Sequence, residues 1–463
     1  CRRCNHVSRS GSSRPATYTE GAIRDHVAKL SSVMILGFLA MTVGQLIEIF
    51  YIGKVGKAEL AAVTFMFPIS MSLNALTRGI GIGAATLIAQ SMGAGDREQT
   101  AMTVTHCYIL VLIFTIAVSL VGQFGASYLF ILLGASDQVL VLATHYAKIW
   151  LIGFPMMGLA MVSNGLIRSF GNPTFPGFIM TIAPVVQVIV GPFLIFGWAG
   201  LPMLGLEGAA WAFVLGAIAQ VLLAAYWYFL REGLFRLSSG RFLASFNKSA
   251  VSILQVGIPA AASNMIQPLS MGVVTWLLAG FGTTVVAAFG VASRIESVVG
   301  MVVIGISTSV VPLVGQNWGA RKFERVHEAL NTCYAACLIW GLLAATIMWF
   351  GAGYFVNFVN DDPGLVDVAV TFLHIIPFSI GFMGLIVVST HAFNALRRPM
   401  PALFLSVARL LIVYIPLALL ASHFFGYIGV FAATAITNVL VGIVAVVWNR
   451  RTLSREQELL SEA

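Results

Sequence analysis

Charge is what this chain has least of. Lys, Arg, Asp and Glu together make up 10% of its 463 residues, against about 25% in soluble domains. Hydrophobic residues supply 59% and the mean hydropathy is +0.91, which excludes a soluble fold and marks an integral membrane protein. Cysteine is scarce too. Cys1, Cys4, Cys107, Cys333 and Cys337 are too few for a disulfide framework, and their odd count argues against full pairing. Cys1 and Cys4 form a CxxC with no second pair and no His set beside it, so no metal site is expected. Facing His/Asp sets, a Ser with a base and HExxH are all missing, which excludes a membrane-embedded enzyme and leaves no cofactor to bind. The net charge of +8 does not point to nucleic acid, because the basic residues lie between apolar runs rather than in an aromatic-laced patch. No cleavable signal peptide is evident ahead of the first run.

What is present is a series of apolar runs, rich in Gly (45) and Met (17) and long enough for helices of about 20 residues rather than short barrel strands. They fall at 31–53, 60–92, 103–133, 141–169, 175–198, 207–230, 250–279, 284–316, 327–358, 366–395, 402–424 and 428–448. The fold class is therefore all-α, a polytopic membrane protein of twelve transmembrane helices. Lys and Arg collect in alternate loops, with only Lys54 and Lys57 in the others, so both termini are expected in the cytoplasm. The polar stretch "REGLFRLSSGRFLASFNK" divides the runs in half. The expected organisation is a cytoplasmic segment at 1–28, an N-lobe at 29–230, a cytoplasmic linker at 231–248, a C-lobe at 249–450 and a cytoplasmic tail at 451–463.

A repeat supports the division. A shift of 226 residues lays "QSMGAGDRE" (90–98) on "QNWGARKFE" (316–324), Gly79 on Gly305, Cys107 on Cys333 and Pro173 on Pro399. Six spans per copy give both copies one topology, so two pseudo-symmetric six-helix lobes should flank a cavity and rock about it.

The turn "EIFYIGKVG", the two Q-x-x-G-A turns and "NGLIRSFGNPTFP" resemble the multidrug and toxic compound extrusion (MATE) transporter family across residues 27 to 452. The G-x-x-x-D-R-x-G-R-[RK] loop of the major facilitator group is broken in both copies, "GAGDREQT" and "GARKFERV". The resemblance implies a monomeric antiporter of the bacterial inner membrane. It would export organic cations or other amphiphiles in exchange for protons or sodium. A flippase for lipids or lipid-linked sugars is the alternative, disfavoured because only three Arg lie within spans.

An ionised group at the bilayer centre costs at least about 2.5–3.5 kcal/mol, so each demands a reason. Those here are Glu48, Arg78, Lys148, Arg294, Glu296 and Arg409. Glu48, eight residues before Gly56, stands near where the family carries an Asp, and Gln45 lies one helical turn away, placed to hydrogen-bond it. A carboxyl that alternates between dry and wet settings takes up and releases protons, so Glu48 and Gln45 are ion-coupling candidates. The other reading is a carboxylate snorkelling to the interface near Lys54. The family's Asn-x-x-x-Asp-Pro is replaced by Gln187 and Gly191, and Gln267 stands where some members have an acid; this favours protons over sodium. Arg294 and Glu296 are two residues apart and cannot pair on one helical face, so Glu296 either faces the cavity, to attract a cationic substrate or carry a second proton, or forms a structural ion pair across helices. Arg78 and Arg409 read as structural, Lys148 as snorkelling to an interface, and His106 and His374 as interfacial. Met66, Met161, Asn164, Gln187, Asn264, Gln267, Met271 and Arg294 are candidates to line the cavity, although such Met residues also pack between helices.

Overall fold

Backbone polar groups within a bilayer must find partners inside their own segment, and runs of this length do so as helices. The computed structural model describes residues 17–135, 137–228, 241–359 and 362–462. The expected N-terminal segment through residue 16, with Cys1 and Cys4, and the linker from 231 to 240 lie outside the described residues. A single turn at Thr17–Thr19 leads into α1 (Ile23–Val55), α2 (Lys57–Gly93), α3 (Arg97–Leu132), α4 (Asp137–Ser169), α5 (Phe175–Phe196) and α6 (Leu206–Tyr226). The second half holds α7 (Arg241–Ala279), α8 (Thr283–Ser307), α9 (Val310–Gly319), α10 (Phe323–Asn357), α11 (Pro363–Ile375), α12 (Pro377–Ala395), α13 (Pro399–Val407) and α14 (Ile415–Glu462). Two sequence boundaries move. The first helix starts at Ile23, inside the expected N-terminal segment, and residues 241–248 of the expected linker already belong to α7.

Twelve passes result because several elements join or divide. Pro377 lacks a donor and separates α11 from α12 within one pass. A π-helical stretch, Ala408–Tyr414, joins α13 to α14. Within α14, Gly426 adopts φ 58° and ψ −142° and the chain folds back. A Cβ on Gly429 would strike the carbonyl of Ala421, a residue that a straight helix would hold about 12 Å away along its axis.

The 226-residue offset reappears as paired contacts. Tyr108 bonds Ser163 (2.7 Å) in the first half, and Tyr334 bonds Ser389 (2.9 Å) in the second. Across the halves, Gln90 Nε2 donates to the Ala395 carbonyl and Gln316 Nε2 to the Ser169 carbonyl, both at 2.7 Å. The left-handed turns after α2 and α4 use Gly95 (φ 77°) and Gly171 (φ 96°). Their counterparts are Arg321 (φ 56°) and Arg397 (φ 59°), a backbone conformation that costs a side-chain-bearing residue about 1–2 kcal/mol.

These cross-bonds make one end of the bundle a seam. Gln316 is fully buried and also accepts from the Tyr18 N–H at 3.0 Å, whereas Gln90 makes one such bond. Each buried group left unpaired costs about 1–3 kcal/mol. Gln316→Ala is therefore expected to lower thermal stability in detergent more than Gln90→Ala, by about one such bond, as read by loss of the monodisperse peak on heating.

The helices at the seam are α2 with α7 and α9, and α1 with α8. Gly79 packs on Gly257 and Ala261, Gly83 on Ile253, Gly315 on Ala89, and Gly305 on Ile35 and Ser31. They lie toward the C-terminal ends of α2 and α8, on α9, and in the first halves of α1 and α7 up to the middle of α7 at Ala261. Midway along, Thr42 Oγ1 still meets Met301 Sδ at 3.9 Å. In the opposite halves of the same helices Leu46, Phe67, Leu269, Met271 and Trp276 are exposed. The lobes are joined at the end that carries Tyr18 and part toward the other.

Candidate functional site

Glu48 sits in the second half of α1, half-buried, within electrostatic reach of the buried phenol of Tyr146 on α4. Among the described residues it has no ion-pair partner and no hydrogen bond. Gln45, expected to bond it, is exposed and does not do so. One turn before Glu48, Gly44 lets α5 approach so closely that a Cβ there would overlap Pro184. Beside that contact runs an apolar groove of about 430 Å³ lined by Leu36, Val43, Gly44, Ile47, Pro184 and Val188. A carboxyl thus stands beyond the end of an apolar groove on a helix that borders the opening between the lobes.

Glu296 on α8 is half-buried, and the charge it feels is Arg409, not its sequence neighbour Arg294, which is exposed. Arg409 belongs to the π-helical stretch and donates to Asn438 Oδ1 at 2.7 Å; Asn438 in turn donates to Ser379 Oγ at 2.9 Å. Glu296 lies within electrostatic reach of that polar chain inside the C-lobe through Arg409, but among the described residues it makes no ion pair or hydrogen bond of its own.

The expected cavity residues separate into two groups. Gln267, Met271 and Arg294 are exposed on α7 and α8, and Gln45 and Arg78 on α1 and α2. These exposed polar side chains stand on helices that border the opening between the lobes, where a polar group costs less than against lipid. Met161, Gln187 and Asn264 are half-buried, and Asn264 spends its amide on the Ala260 carbonyl of its own helix (2.8 Å). Met66 and Asn164 do not line the cleft. Met66 is 3% exposed, packed among Ile52, Ala62 and Phe154, and Asn164 clips α4 to the Pro176 carbonyl at 2.8 Å. His106, expected at an interface, is fully buried with its ring against Phe246. His374 is half-buried and its Nε2 lies 3.1 Å from the Trp349 carbonyl.

The closed end holds a group the sequence did not single out. Arg168, in the last turn of α4, lies within electrostatic reach of Arg78, of His391 on α12 and of Tyr18. Tyr18 is pinned to the other lobe: its N–H goes to Gln316, and its carbonyl accepts from Asn317 Nδ2 (3.1 Å) and Arg325 Nη2 (3.2 Å). Burial outweighs the nearby guanidinium and pushes the Tyr18 hydroxyl above its ordinary range, so the phenol stays neutral. No group of three or more His, Cys, Asp or Glu that would hold a metal ion occurs among the described residues.

The MatE family model matches residues 34–193 and 259–420. A FAD transporter of Shewanella oneidensis is 31% identical over 412 residues, covering 88% of this chain and 90% of that protein. The multidrug export protein MepA of Staphylococcus saprophyticus is 24% identical, covering 89% and 90%. Among solved structures, the Vibrio cholerae MATE transporter VcmN in its bent form superposes with a TM-score of 0.89 at 26% identity, covering 94% of this chain and 98% of that one.

Proposed function

The chain belongs to the MatE family, a family of transporters and not of enzymes, and from that premise we propose that it is a secondary active antiporter of the cell membrane. It exports amphiphilic organic molecules in exchange for protons by alternating access. The excess of basic residues in alternate loops supports a cytoplasmic closed end and cytoplasmic termini. The cleft then opens outward.

The observation that carries this reading is Glu48, an intramembrane carboxyl in the second half of α1 with no hydrogen-bond or ion-pair partner among the described residues, on a helix that borders the cleft. An unpaired carboxyl in such a place is neutral when dry and sheds its proton when the cleft wets it, which is the exchange an antiporter needs. Sodium is the second candidate ion, but it favours a cage of hard oxygen ligands, and Gln187 and Gly191 stand on α5 where the family's carboxylate site would be. Relatives named for multidrug export support cationic and neutral amphiphiles as cargo, and the relative named a FAD transporter adds flavin nucleotides. The second class is favoured by Arg78 on the cleft and Arg168 beneath it. A flippase for lipid-linked sugars remains the alternative cargo class.

Proteoliposomes test the coupling directly. An imposed pH gradient with equal sodium on both sides is expected to drive uptake of ethidium or a flavin into vesicles. A sodium gradient at uniform pH is expected to leave uptake at the level of empty vesicles, and the reverse pattern would replace the proton by sodium.

A further inference from the structure

Arg168 poses the clearest unanswered question in the molecule. Its Nε and Nη1 are shielded from water and neither has a hydrogen-bond acceptor. A guanidinium in the last turn of a helix often serves to cap carbonyls there. Here that work is done by others. The Leu166, Ile167 and Arg168 carbonyls accept from the backbone of Phe170, Asn172 and Gly171, and the Ser169 carbonyl accepts from Gln316. No carboxylate among the described residues pairs with Arg168. Its electrostatic neighbours are the Arg78 guanidinium, the His391 imidazole, whose Nδ1 is spent on the Val387 carbonyl at 2.8 Å, and the neutral Tyr18 phenol. Two further hydroxyls, of Tyr18 itself and of the adjacent Ser169, are buried without a partner.

A half-buried guanidinium with two shielded, unused donors, beside a second guanidinium and neutral hydroxyls, is matched by one kind of ligand. A phosphate or carboxylate supplies the missing charge and accepts from the guanidinium fork in bidentate fashion. We propose that Arg168, with Arg78 and His391, forms a binding centre between the lobes for an anionic group, phosphate or carboxylate, carried by the transported solute. The inference rests on the transport reading above for the origin of its ligand. Arg78, exposed on the cleft, receives the anionic group first; Arg168, under the seam, holds it when the closed end opens. The solute class is then an amphiphile bearing a phosphate or carboxylate.

Riboflavin and its 5′-phosphate share one ring system and differ in a phosphate, so they isolate this term. Binding to purified protein in a neutral detergent, read by equilibrium dialysis, is expected to favour the phosphate form at least tenfold. Arg168→Gln brings the two within about twofold, and Arg168→Lys keeps part of the difference. Pyrophosphate is expected to raise the thermal midpoint of the wild type and not of Arg168→Gln, whose own midpoint should not fall, since it loses an unpaired buried charge. A preference that survives in Arg168→Gln overturns the proposal, as does the absence of any difference between wild type and variant in both assays. An acidic lipid headgroup is the other source of such an anion. Should Arg168→Gln abolish stimulation of transport by phosphatidylglycerol in phosphatidylcholine vesicles while leaving the flavin preference intact, the solute assignment falls. The dialysis uses no gradient, so failure of proton coupling and failure of this site give separate signatures.

Discussion

Glu48→Gln is expected to reduce pH-driven export in proteoliposomes at least tenfold, to near the level of empty vesicles, while solute binding in detergent stays within about threefold of wild type. The substitution keeps the size and hydrogen-bonding capacity of the side chain and removes only its titration. Because Glu48 has no ion-pair or hydrogen-bond partner among the described residues, no bond is broken and thermal stability should not fall. A structural role would give the opposite pattern, with stability lost and export reduced in proportion to the folded fraction. Glu296→Gln separates the two lobes. Its carboxyl feels Arg409, which is itself tied to Asn438 and through it to Ser379, so the variant leaves a cation without its counter-charge and should lose stability as well as activity. Export that responds to a pH gradient as strongly in Glu48→Gln as in wild type would remove Glu48 from the coupling mechanism.

The sequence made the spans and their repeat legible for simple reasons. Long apolar runs have only helices open to them in a bilayer, and an internal duplication preserves offsets. The 226-residue shift that aligns Gln90 with Gln316 also relates the reciprocal bonds these residues make to Ala395 and Ser169. Side-chain direction was less legible. In a soluble helix the apolar stripe tells which face is buried, but a membrane helix is apolar toward lipid and toward its neighbours alike. Met66 and Met271 look equivalent in sequence, yet one is buried in the N-lobe and the other exposed on α7. Arg168 escaped notice because its position at the end of a span reads as an ordinary basic residue near the membrane surface. Its isolation depends on Gln316, 148 positions later, taking the neighbouring carbonyl, and on Tyr18 arriving from the N-terminal turn. Nothing local in the sequence encodes either.

The seam itself makes the second large prediction, because repeat-related glycines meet different obstacles there. A Cβ on Gly79 would stand 2.5 Å from both the Gly257 carbonyl oxygen and Ala261 Cβ, and 2.8 Å from the Ala261 nitrogen. Backbone atoms and a Cβ cannot turn aside, so α2 and α7 must separate. A Cβ on the equivalent Gly305 would meet Ile35 Cγ1 at 2.5 Å and the Ser31 carbonyl oxygen only at 3.3 Å, and the isoleucine side chain can change rotamer. Overpacking of this kind costs about 1–3 kcal/mol, which applied to one state alone shifts a two-state balance by about 5- to 150-fold. Gly79→Ala is therefore expected to disfavour the closed cytoplasmic end and slow export at least tenfold, while Gly305→Ala slows it less than threefold. Spin labels on cysteines placed at Arg97 and Arg321, exposed at that end on opposite sides of the seam, measure the cause, on a background without Cys1 and Cys4. The distance distribution should broaden toward longer values in Gly79→Ala and stay near wild type in Gly305→Ala. Equal distributions in the two variants, with both still monodisperse, would show that the seam tolerates an added methyl at Gly79 and that closure is not set by this contact.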